Sequence, residues 1–263
     1  MLNILVVDDE SVVREASRLF LERDGDIAVD TSRSAQDALA RLSGKRYDAI
    51  IADYQMPGMD GITLLKAVRD SGSDIPFILF TGRGREEVVI EAINNGADFY
   101  LKKGGDPTLQ FTELLHKIKL AVQVRASRQQ LKEIVLGTPI PTFVIDRDHH
   151  VISWNRALED YSGIAAPAVI GTSNHWQAFY DQQRPCLADL IVDQNIDGIT
   201  RWYGGKHAKS SAIAHAYEAA DYFPRVKGGT YLFFTAAPIS DAGGTITGAI
   251  ETLQDITRIS RTK

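Results

Sequence analysis

The chain holds a single cysteine, Cys186, in 263 residues, so no internal disulfide framework supports it, and a reducing compartment suits it. No apolar run reaches membrane-spanning length. The opening "MLNILVVDDE" lacks the charged and apolar regions of a secretion signal, so a cytoplasmic protein with no membrane partner is expected. A basic tail is missing too: 29 Lys and Arg against 34 Asp and Glu give a net charge of −5, which argues against nucleic acid as a partner. There is no internal repeat and no low-complexity tract. What is present, 44% hydrophobic and 24% charged residues, can fill two ordinary domain cores and stay soluble.

As far as residue 122, short apolar runs alternate with amphipathic segments, the pattern of βαβ units around a parallel sheet. The runs are "NILVV" (3–7), "IAVD" (27–30), "DAIIAD" (48–53), "FILFT" (77–81) and "FYLK" (99–102). In "SVVREASRLFLERDG", residues Val12, Val13, Ala16, Leu19 and Phe20 are expected on one buried helical face. The expectation is an α/β domain, a doubly wound five-stranded parallel sheet with five helices. From 108 to 136 nothing breaks a long helix until Gly137. Its first half should pack as the fifth helix and its second half project as a connector. Leu120, Val124, Ser127, Leu131 and Ile134 recur at spacings of four and three, so this stripe packs on its own domains or forms a dimerising coil. Beyond Gly137 strands and aromatic-rich loops take over.

In an open parallel sheet, ligands sit beyond the carboxyl ends of the strands. Asp8 and Asp9 end the first strand, Asp53 the third and Thr81 the fourth, while Lys103 follows the fifth. Three carboxylates brought together would repel unless a cation neutralised them, and oxygen-only ligation favours Mg²⁺. A carboxylate beside Mg²⁺ can attack phosphorus while the metal and a lysine absorb charge. "GRGREE" (82–87) lacks the spacing and the Lys-Ser/Thr ending of a nucleotide loop.

"ILVVDDE", "IIADYQMPGMDG", "ILFTGRG" and "GADFYLKK" resemble the response-regulator receiver family of two-component signalling, a flavodoxin-like fold, over residues 1–122. The resemblance implies Asp53 as phospho-acceptor, Asp8 and Asp9 as the acidic pair, and a Mg²⁺ ligand in the backbone carbonyl of Gln55. It also implies Thr81 as switch hydroxyl, Tyr100 as switch aromatic and Lys103, in preference to Lys102, as the phosphate-contacting lysine. A histidine kinase or phosphotransfer protein would be the partner, and the domain would catalyse only its own phosphorylation and dephosphorylation. One departure is "KKGGDP", where Gly104 stands in the place of the family's usual proline.

Residues 123–137 then form a helical linker, and 138–263 are similar to a PAS sensor domain, α+β with an antiparallel sheet. "FVIDRDHHVISWN" makes its first hairpin, "SDAGG" its last turn, and Asp255-Ile256-Thr257 its characteristic end. Such domains hold haem, flavin, a small metabolite or nothing. Candidate ligand residues are His175, Trp176, Tyr180, Cys186, Trp202, Tyr203, His207 and His215. The competing reading, which we prefer, places the histidines on polar loops and the aromatics in the core. Asn155 is expected to start a helix rather than meet a ligand.

With no further catalytic module apparent, the output should be a protein contact, either a homodimer or a kinase. Two other functions compete: a ligand-sensing scaffold with an inert receiver, and a Mg²⁺-dependent aspartyl-phosphate phosphohydrolase. The usual Asp-x-Asp of such hydrolases is absent after the first strand.

Overall fold

A computed structural model describes residues 1–23, 25–82, 86–224 and 226–260. It divides into two compact units, Met1–Gln129 and Gln130–Lys263. Arg83, Gly84 and Arg85 of the "GRGREE" segment and the last three residues of the PAS-like region lie outside the described residues.

In the first unit, β1 (Leu2–Val7), α1 (Ser11–Glu22), β2 (Ile27–Ser32), α2 (Ala35–Gly44), β3 (Ala49–Ala52), α3 (Gly61–Asp70), β4 (Phe77–Thr81), α4 (Glu86–Asn94) and β5 (Phe99–Lys102) alternate along the chain. The strands pair in parallel in the order β2-β1-β3-β4-β5. Strands β3 and β4 are buried along their whole length, as expected for strands covered on both faces. Leu5, Val7, Ile50 and Leu79 face one core, and Ile4, Val6, Ile51 and Ile78 the other.

The expected face of α1 needs correcting. Val12 and Leu19 are 78% and 64% exposed, while Ser17 and Leu21 are buried. The helix is turned so that Phe20 stacks on Phe111 with ring centroids 4.7 Å apart.

Helix α5 (Pro107–Gly137) runs unbroken. Phe111, Leu114, Ile118 and Ala121 anchor its first half. Along the remainder Leu120, Val124, Leu131 and Ile134 are all exposed. No helix among the described residues is long and apolar enough to cross a membrane.

The second unit contains β6 (Thr142–Asp146), β7 (Val151–Trp154), α6 (Arg156–Ser162), α7 (Ala166–Val169), α8 (Leu187–Val192), α9 (Ile196–Tyr203), β8 (His207–Lys209), β9 (Tyr217–Phe223), β10 (Thr230–Ser240), β11 (Ile246–Asp255) and α10 (Thr257–Ser260). Its six strands form an antiparallel sheet in the order β7-β6-β11-β10-β9-β8. Phe143, Trp154, Phe179, Tyr203, Phe223 and Phe234 belong to its core. Asn155 caps α6, its side-chain oxygen accepting from the Leu158 and Thr142 N–H groups at 3.0 and 2.9 Å.

Candidate functional site

The apolar run of β1 ends because its next residue leaves the sheet. The Asp8 N–H still donates to the Ser32 carbonyl at 3.0 Å, and its side chain then accepts from the Glu10 N–H at 2.9 Å. Asp53 sits at the equivalent edge after β3, its N–H donating to the Val7 carbonyl at 2.8 Å. Gly61 allows α3 to start against this edge: a Cβ there would run into the Asp53 carbonyl and the Leu79 side chain. The neighbouring Asp60 caps the helix by accepting from the Thr63 N–H at 2.7 Å.

Lys103 closes the site from 95 residues along the chain. Its ammonium donates to Asp8 Oδ2 at 2.6 Å and lies 3.4 Å from Asp53 Oδ1. Its N–H donates to the Thr81 carbonyl at 2.7 Å, fixing the side-chain direction, whereas Lys102 is exposed. Gly104 and Gly105 follow with φ of 128° and 91°, a turn that glycine adopts without strain.

Ligand atoms of Asp8, Asp9 and Asp53 all lie within 4.8 Å of one another. Burial pushes the Asp8 carboxyl up, with Asp53 adding to the rise, against the pull of the Lys103 ammonium. A cation would relieve that conflict, so the donors fit a hard divalent ion. Asp9 is exposed to a cleft of about 430 Å³ lined also by Tyr54, Gln55, Met56, Pro57 and Asp60. Thr81 is buried as the last residue of β4. Tyr100 lies in β5, its hydroxyl buried without a hydrogen bond among the described residues. Sequence reasoning missed Arg14, which donates to the Asp8 carbonyl at 2.6 Å. An arginine six residues after Asp8 carries no distinctive pattern.

The second unit departs from the preferred reading at His175 and His207, and at Trp202, which is exposed and not part of the core. His207 starts β8, and His215 is exposed in the loop after it. His175, however, is 2% exposed and its Nε2 lies 2.9 Å from Asp189 Oδ2. It is therefore a core group and not a polar-loop residue, because a buried carboxylate partners it. Cys186 is buried with it, and ligand atoms of His175, Cys186 and Asp189 lie within 4.8 Å of one another. Neither His207 nor His215 belongs to this cluster. Tyr180, Trp202 and Tyr203 surround the Arg184 guanidinium, with ring centroids 4.1, 4.7 and 5.3 Å away. Trp176 packs at the edge of the core.

Three further residues of this network escaped the sequence. Asp189 interrupts the apolar run "CLADLIV", a signal of a partnered charge. His149, at φ 66° in the β6–β7 turn, brings Nδ1 to 2.8 Å from Asp189 and Nε2 to 3.0 Å from Asp193. Glu251, from β11, accepts the Ala188 N–H at 2.7 Å, and burial pushes its pKa up to about 8.

Residues 4–119 match the family model described as response regulator receiver domain, and residues 137–261 match the one described as PAS fold. The chain thus carries a response regulator receiver domain followed by a PAS fold. Among similar proteins, the transcriptional regulatory protein ResD of Bacillus subtilis is 36% identical over 156 residues, 57% of this chain and 61% of that protein. Response regulator MprA of Mycolicibacterium vanbaalenii is 35% identical over 100 residues, 38% of this chain and 43% of that protein. The chain therefore spans less than two thirds of the length of these relatives. A solved structure of response regulator protein TrrA from Thermotoga maritima, in complex with Mg²⁺ and BeF, is 31% identical with a TM-score of 0.41, covering 46% of this chain and 99% of that one.

Proposed function

We propose that the chain works in phosphorelay signalling, with Asp53 accepting a phosphoryl group from a partner histidine kinase or phosphotransfer protein. The observation that carries this reading is the Lys103 ammonium lying 2.6 Å from Asp8 and 3.4 Å from Asp53, with the neighbouring Asp9 lining a cleft. An Asp53 oxygen forms a bond to phosphorus as the bond from phosphorus to the donor's histidine nitrogen breaks. Lys103 then meets the added negative charge, and Thr81, at the end of the adjacent strand, donates its hydroxyl to the new phosphoryl oxygens. Asp8, Asp9, Asp53 and the Gln55 carbonyl would hold Mg²⁺, which supplies charge neutralisation on the transferring group. The reaction is the domain's own phosphorylation and dephosphorylation rather than turnover of a free substrate.

Residues 1–122 would form the receiver, 123–137 the linker and 138–263 a sensing or protein-interaction domain in the cytoplasm. Occupation of the site draws Thr81 inward, Tyr100 rotates behind it, and the shift passes into α5. The exposed stripe of Leu120, Val124, Leu131 and Ile134 supports a homodimer formed along this helix.

Intact mass tests the first step. With acetyl phosphate and Mg²⁺ the chain should gain one phosphoryl mass, and Asp53→Asn should gain none. Equal labelling of both would overturn the assignment. Hydrogen exchange in residues 120–136 should change on phosphorylation, and unchanged exchange would remove the linker from the pathway.

A further inference from the structure

We propose that His175, Cys186 and Asp189 form a binding site for a divalent transition metal of the zinc and cobalt class, separate from the phosphoryl site. The three residues are 2%, 1% and 7% exposed, and their side chains offer a nitrogen, a sulfur and an oxygen within 4.8 Å of one another. That mixed set suits a borderline ion and is poorly suited to magnesium. In a tetrahedral site such donors stand about 3.2–3.7 Å apart, given metal bonds of about 2.0–2.3 Å, so small side-chain rotations complete the closure.

Charge selects the ion. A thiolate and a carboxylate balance one divalent cation, with neutral imidazole as the third ligand, and a buried site tolerates only such a balance. Imidazole chemistry agrees. His175 Nε2 sits 2.9 Å from Asp189 Oδ2, while the buried Nδ1 has no hydrogen-bond partner. The ring can therefore pass its proton to Nδ1 and offer Nε2 to a metal without breaking any bond at Nδ1. Asp189 is already oriented, because its oxygens meet the Cys186 N–H at 2.7 Å and His149 Nδ1 at 2.8 Å, the kind of outer partners that aim metal ligands. An ordinary buried His–Asp pair would need neither the thiol beside it nor a bare ring nitrogen. Three protein ligands leave one coordination position, the arrangement of sites that take up an exogenous donor.

On binding, the Cys186 S–H bond breaks, a sulfur–metal bond forms and the proton passes to solvent. Cobalt(II) alone is the probe, titrated into the full chain after chelator treatment. The expected result is a thiolate-to-cobalt charge-transfer band saturating at one equivalent, with proton release in step. Cys186→Ser should abolish the band, and His175→Gln should weaken binding at least about tenfold. Asp9→Asn, which alters only the carboxylate cleft, should leave the band intact. Trp154, Trp176 and Trp202 all lie in the second unit, so their fluorescence verifies folding of each variant there. The wild-type chain alone provides a decisive reading: no band and no proton release would overturn the proposal. So would a band that survives Cys186→Ser, or saturation only at the millimolar cobalt expected of adventitious binding.

Discussion

Replacing Lys103 with methionine is expected to lower the stability of the receiver by about 3 kcal/mol in magnesium-free solution at pH 8. The ammonium lies against two carboxylates that are themselves buried, Asp8 and Asp53, at 2.6 and 3.4 Å. Removing it leaves like charges facing each other with little water to screen them. Magnesium should restore much of the loss, because an ion that binds only the folded site stabilises it by mass action. Lowering the pH should also shrink the loss, since Asp8, pushed up by burial, takes a proton in place of its lost partner. The measurement is urea unfolding followed by circular dichroism beside tryptophan fluorescence. All three tryptophans belong to the second unit, so a transition seen only by dichroism reports the first. Equal stability of wild type and variant without magnesium would show that Lys103 does not balance these carboxylates.

A second large effect is expected at Glu251. Burial lifts its pKa from 4.5 to about 8, so the folded chain keeps a proton that the unfolded chain releases. Below pH 4.5 both states are protonated and the acid costs nothing. Between 4.5 and 8 stability falls as pH rises, by on the order of 4 kcal/mol in total. Glutamine resembles the protonated acid and can still accept the Ala188 N–H. Glu251→Gln in metal-free buffer should therefore match wild type near pH 4.5 and exceed it clearly at pH 8, read by the fluorescence transition in urea. Parallel pH profiles for the two chains would mean that Glu251 is ionised in the folded protein.

The receiver's edge was legible because each strand of a parallel sheet ends abruptly, and those ends all face one way. Asp8, Asp53, Thr81 and Lys103 could thus be placed from apolar runs alone, without knowing any contact. Rotation of a helix about its axis is a different matter. Val12 and Leu19 share helical spacing with Phe20, yet the stacking of Phe20 on Phe111, ninety-one residues later, decides which flank is covered. Polar groups in the second unit were harder still. His175 sits in "SNHWQ", a stretch that reads as a wet loop, and only Asp189 from another element makes its burial tolerable. Glu251 occupies an inward position of a strand, where alternation alone would demand an apolar residue; the N–H groups at the start of α8 supply its compensation.

The antiparallel sheet has its longest strands, β10 and β11 of eleven and ten residues, well inside and its shortest at the rims, β7 of four and β8 of three. A stray strand from another molecule would find only a few unpaired backbone groups at either margin, too little to repay its own ordering. The same layout that hides the long hairpin therefore leaves this sheet little edge on which a second copy could add a strand at high concentration.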